Sequence, residues 1–110
     1  MAKYTHYWKG NFDDALNRLH EGILNGSATA SYEGGDDFSR NCVRCAVRVY
    51  ERYSMLGGNR VSLNLTLFGC GEDLSLSAMT SGGSQALFWK VNTFGEEAFL
   101  EKVREIVSAF

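Results

Sequence analysis

Three successive runs of alternating side chains, separated only by short glycine-bearing breaks, constrain this chain more than any other feature. Val61, Leu63, Leu65 and Leu67 alternate with Ser62, Asn64 and Thr66, which is the period of a strand with one apolar face. Before it, Arg44, Arg48 and Arg52 recur every four residues within 42–53, against a core-facing stripe of Val43, Cys45, Val47 and Val49 on the other parity. After it, Leu74, Leu76 and Ala78 alternate with Ser75, Ser77 and Met79. The breaks Leu56-Gly-Gly-Asn59 and Gly69-Cys-Gly-Glu-Asp73 are too short for a parallel crossover. Antiparallel hairpins are therefore required.

Helical spacing flanks these runs. Residues 3–9 read as a first strand, with Tyr4, His6 and Trp8 on one parity. Asn11 then suits an N-cap, and Asp13 and Asp14 suit the positive end of a helix dipole. Phe12, Leu16, Leu19, Ile23 and Leu24 give the stripe of a helix over about 12–24, which Asn25-Gly26 closes. Ser27–Glu33 reads as a weak strand that Gly34-Gly-Asp-Asp37 breaks into a polar loop. Gln85–Asn92, rich in large β-formers, reads as a sixth strand. Thr93-Phe-Gly-Glu96 fits a capping box, and Phe99, Val103, Ile106, Val107 and Phe110 form the stripe of a C-terminal helix. The expected fold is an α+β two-layer sandwich in one domain, residues 1–110. Its antiparallel sheet of five or six strands is packed by an N-terminal and a C-terminal helix, in the order β-α-β-β-β-β-β-α. That order resembles the single-copy form of TATA-binding-protein-like and helix-grip topologies, a likeness that carries no function.

Charge narrows the partners. The net charge is −2, yet residues 40–60 hold five arginines and one acid, Glu51. A local basic patch on an acidic chain suits a small anion or an acidic protein partner better than a long nucleic acid, which rewards an extended positive footprint. The N-terminal residues lack the apolar core of a signal peptide, and no run is long enough for a membrane span. Three cysteines is an odd count for a secreted disulfide framework, so a reducing cytoplasm is expected.

Several blocks are familiar as sequence. Gly22-Ile-Leu-Asn-Gly-Ser27, Val43-Arg-Cys-Ala-Val-Arg-Val-Tyr-Glu-Arg-Tyr53, Gly57-Gly-Asn-Arg-Val-Ser-Leu63 and Ser81-Gly-Gly-Ser-Gln-Ala86 resemble small stand-alone bacterial proteins grouped as a domain of unknown function. The resemblance spans nearly the whole chain. It implies a single-domain bacterial protein and brings no catalytic residues with it.

The arginine parity is the leading candidate site. A hairpin centred on Gly57 would put Arg44, Arg48, Tyr50 and Arg52 on the outer face beside Ser62, Asn64, Thr66 and Phe68. Guanidinium forks with hydroxyl and amide donors suit phosphate or carboxylate, whereas a merely solvated sheet face would carry the same residues. Ser81-Gly82-Gly83-Ser84 could present backbone amides to an anion, but it lacks the lysine and spacing of a phosphate loop and is more simply a turn. Cys42 and Cys45, at i and i+3 of a strand, point to opposite faces and do not make a redox or zinc pair. His6 and His20 lack an accompanying nucleophile motif, and no metal-ligand spacing appears. Trp8, Tyr32, Phe88 and Trp89 are candidates to line an apolar cavity between helices and sheet. The functional expectation is a non-enzymatic binding or interaction module without a cofactor, self-association included. A small-ligand binder and an enzyme with an unrecognised site are the alternatives.

Overall fold

The alternating runs pair as antiparallel strands in the computed structural model, which describes residues 1–53, 60–82 and 89–110. Strand β1 is Ala2–Lys9, β2 Ser31–Arg40, β3 Val43–Tyr53, β4 Arg60–Cys70 and β5 Asp73–Gly82. Helix α1 is Phe12–Asn25 and α2 is Trp89–Ser108. The sheet order is β1-β5-β4-β3-β2, so β2 to β5 form a meander and β1 returns to pair with β5. Both helices lie on one face, and the other face is uncovered.

Local chemistry accounts for most of these elements. Asn11 caps α1 through its Oδ1, which accepts from the Asp14 amide at 2.8 Å. Gly26 ends the helix in a right-handed conformation, φ −80°, rather than the left-handed one its glycine permits. Val61, Leu63, Leu65 and Leu67 of β4 and Leu74, Leu76 and Ala78 of β5 are buried beneath Leu19 and Ile23 of α1 and Phe99, Leu100 and Val103 of α2. These side chains constitute the core.

Two expectations about element boundaries are corrected. Gly34-Gly-Asp-Asp37 does not break the second strand. The strand runs through it, shifting register between Tyr32 and Gly34 with Gly34 at φ +155°. Gly35 is needed there because a Cβ would stand 2.2 Å from the Val47 carbonyl oxygen. Glycine and aspartate disfavour strands by propensity, but ladder bonds to β3 override it at an edge, where a bulge and charges also discourage further pairing. The second correction is at the C-terminal end. The expected sixth strand enters α2 at Trp89, and Thr93 lies inside that helix rather than capping it. Residues 83–88 lie outside the described residues.

Glu96 has other work. Its buried carboxylate accepts from the Gly82 amide at 3.1 Å and pairs with the α-amino group of Met1 at 2.8 Å, while its carbonyl accepts from Thr80 Oγ1. It ties α2 to the ends of β5 and β1. No helix among the described residues is long and apolar enough to cross a membrane.

Candidate functional site

The register of the β3–β4 hairpin decides where the arginines go. Arg48 pairs with Leu65, Tyr50 with Leu63 and Arg52 with Val61, so even residues of β3 share a face with the odd, buried residues of β4. Arg44, Arg48, Tyr50 and Arg52 therefore lie on the helix-bearing side. Asn64 and Thr66, expected beside them, lie on the opposite side with Val47 and Val49. The hairpin is centred between residues 56 and 57 rather than on Gly57, since Tyr53 pairs with Arg60. Half a residue at the centre inverts the partnership of every side chain, because the strand period is two.

On that side the arginines are engaged. Arg44 donates from both terminal nitrogens to the Asp13 carboxylate, at 3.0 and 2.9 Å, and stacks 4.2 Å over the Phe12 ring. These hydrogen bonds hold the Asp13 carboxyl below its usual value, against a smaller opposing effect of desolvation, and raise Arg44. Arg48 donates to both oxygens of Asp37 at 3.0 and 3.2 Å, and to the carbonyls of Val47 and Asp36. Arg52 lies 4.6 Å over Phe99 of α2, where burial lowers its pKa. Anchored guanidiniums that stack on aromatic rings help seal the edges of the core. The ladder is thus chiefly an internal fastening of α1, α2 and β2 to β3.

Between α1 and the β2–β3 wing lies an open cleft of about 250 Å³ lined by Leu16, Asn17, His20, Tyr32 and Arg48. Beneath it the buried Tyr50 hydroxyl meets His20 Nδ1 at 2.8 Å, and Tyr32 packs against both rings. Burial pushes the Tyr50 phenol well above its usual value, although the Arg48 charge opposes the shift. Of the four aromatics expected to line a cavity, Tyr32 does so. Trp8 instead packs on Phe110, and the side chains of Phe88 and Trp89 lie outside the described residues. His6 keeps company with Tyr4 and Trp8 on β1. The remaining candidates disperse. Ser81 is on the uncovered face bonded to Ser62 at 2.9 Å, Gly82 is held by Glu96, and Gly83 and Ser84 lie outside the described residues.

The uncovered face was missed as a site. Phe38, Cys45, Phe68, Ser75 and Tyr7 are paired in sequence across β2, β3, β4, β5 and β1 and form one lateral row. Phe38 is 58%, Phe68 43% and Tyr7 73% exposed. Tyr53 and Met79, also exposed, share this face, and Val43, Cys45, Val47 and Val49, expected to face the core, lie half-buried on it. One signal was available: Phe68 interrupts the polar parity of Ser62, Asn64 and Thr66 in an otherwise clean strand.

No curated protein and no solved structure matches the chain. A family model does, and it spans residues 1–110. With its whole length covered, the chain belongs to DUF6054, a family of unknown function.

Proposed function

We propose that the protein is a non-enzymatic interaction module whose contact surface is the uncovered face of its sheet and whose partner is a second copy of the same chain. The observation that carries this is the segregation of Tyr7, Phe38, Tyr53, Phe68 and Met79 onto that one face. Contiguous exposed apolar patches are uncommon on monomers and mark interaction sites. Five strands about 4.8 Å apart and roughly 30 Å long offer on the order of 700 Å². That is close to the ~800 Å² per partner of a standard interface.

The aromatic row suits twofold self-pairing, being aromatic at both rims and at the central strand. An axis parallel to β4 would set Phe68 against its own counterpart and Tyr7 against the partner's Phe38. Three cysteines, an odd count for a disulfide framework, are in keeping with a reducing bacterial cytoplasm. The arginine side is a weaker contact surface for an anion or acidic partner, because an incoming carboxylate or phosphate must displace Asp13 from Arg44 or Asp37 from Arg48.

Size-exclusion chromatography with light scattering, backed by native mass spectrometry, tests the reading. The wild type should run as a dimer, and Phe38→Ser/Phe68→Ser as a monomer with unchanged far-UV circular dichroism. A wild-type chain that stays monomeric at all attainable concentrations sinks it.

The cleft beside His20, Tyr32 and Arg48 supports a second reading, a small-ligand binder that combines an aromatic wall with a cation and an imidazole. Retention of a discrete small-molecule mass in gentle native spectra, abolished by Tyr32→Ala, would favour it.

A further inference from the structure

Cys42 and Cys70 are far apart in sequence, and neither forms part of a recognisable motif. The fold brings their sulfurs to 3.8 Å, with both side chains exposed. Cys42 occupies the two-residue loop between β2 and β3, following Asn41 at φ +55°, and Cys70 is the last residue of β4, paired with Val43. Lying in the turn, Cys42 is released from the strict alternation of the strand, so its sulfur can reach a residue of the neighbouring strand. Paired strands run about 4.8 Å apart, within the Cα separations that disulfides span. Cys45, the nearer cysteine in sequence, belongs instead to the lateral row between Phe38 and Phe68.

We propose that Cys42 and Cys70 form a reversible dithiol–disulfide pair, a modification site whose co-substrate is a low-molecular-weight disulfide such as oxidised glutathione. One thiolate attacks a sulfur of the oxidised disulfide, forming a mixed disulfide and expelling one thiolate, which takes up a proton. The other cysteine, as thiolate, then attacks the protein sulfur of the mixed disulfide and expels the second small thiol. Overall two protein thiols lose two electrons and two protons, and one small disulfide becomes two thiols.

The surroundings favour exchange between these two sulfurs over exchange with Cys45. The thiols are in mutual contact, which Cys45 does not share. That contact, as a hydrogen bond first and as charge repulsion second, raises the Cys70 pKa, so the exchange quickens as the medium becomes more alkaline. Beside Cys42 a cleft of about 390 Å³ is bounded by Asn11, Asp13, Arg44 and Glu72, and gives a small disulfide room to approach. The bond would tie the β2–β3 loop to the end of β4, closing a loop whose ends are 28 residues apart. Such a closure restricts the unfolded chain and raises the melting temperature.

Purified full-length protein is equilibrated in buffers of graded reduced-to-oxidised glutathione ratio, quenched with an alkylating agent and mapped by intact and peptide mass spectrometry. The expected product is an intramolecular Cys42–Cys70 link with Cys45 still alkylated, reversed by excess reduced glutathione and melting higher than the reduced form. Cys42→Ser and Cys70→Ser should each stop at a mixed disulfide on the remaining member of the pair, and Cys45→Ser should still form the Cys42–Cys70 link. In urea the selectivity should vanish, since it comes from the fold. Two independently glutathionylated cysteines, a link through Cys45, or no Cys42–Cys70 link in excess oxidised glutathione would each overturn the proposal.

Discussion

Asp13 shows how a side chain chosen for one task takes on a second. In sequence it belongs to the first turn of a capped helix, where a carboxylate complements the dipole. In the fold it also holds Arg44 through two hydrogen bonds. Because its folded pKa lies below the ordinary 3.8, the stabilisation is complete above that value and is lost as pH falls through the folded pKa. Wild type should therefore lose melting temperature more steeply than Asp13→Asn as pH is lowered below 3.8, and parallel acid titrations followed by circular dichroism check it. Tyr50 carries the opposite sign. Its folded pKa is raised above 10.0, so its contribution is intact below that pH and declines as the medium becomes more alkaline. A spectrophotometric titration should find one tyrosine that resists ionisation until the protein unfolds, and Tyr50→Phe should abolish that late step. The same variant removes the bond to His20, and a single side-chain hydrogen bond is worth about 1 kcal/mol. Its denaturation midpoint should fall accordingly.

At the scale of elements, β2 is where propensity and tertiary context conflict. Ser31–Arg40 contains two adjacent glycines and two adjacent aspartates, yet it pairs with β3 along its length apart from one bulge. The pairing needs a backbone approach that only glycine allows at position 35. Gly35→Ala should therefore destabilise by roughly 1–3 kcal/mol, as overpacking does, and should loosen the Arg48–Asp37 contact by displacing β2. Urea midpoints, with amide exchange on β2 compared with β4, measure both effects. A midpoint equal to wild type would show that β2 is held less tightly than described. Helix α1, by contrast, was legible almost to the residue. Its N-cap, its acidic first turn and its apolar stripe are all local features, and tertiary packing has nothing to override.

At the scale of the whole molecule, the two sheet faces have exchanged the characters read from the arginine strand. The side with arginines is half-covered by helices, and the side with valines is open. An antiparallel sheet with one uncovered face normally shows polar residues there, and this one does so on most of β5 and most of β4. The lateral row, aromatic on β1, β4 and β2, is the departure. If that row is an interface, Phe68→Ser alone should weaken the dimer at least tenfold, given the 1–3 kcal/mol or more that truncation of a buried interfacial aromatic costs. Equilibrium sedimentation at several concentrations reads this directly. Added salt should have little effect on the same equilibrium, because the centre of the row is uncharged.

The sequence by itself determined the α+β class, the antiparallel pairing, both helices and the leucine core. Each of these follows from a period of two or 3.6 repeated over many residues, or from a cap a few residues long. Only the tertiary structure decided which parity of β3 meets the helices, that β2 continues through its glycines, and that Cys42 meets Cys70 rather than Cys45. The physical reason is common to all three. A strand's pattern separates its two faces but does not label them, and the label comes from the register of the hairpin and from contacts between residues distant in sequence.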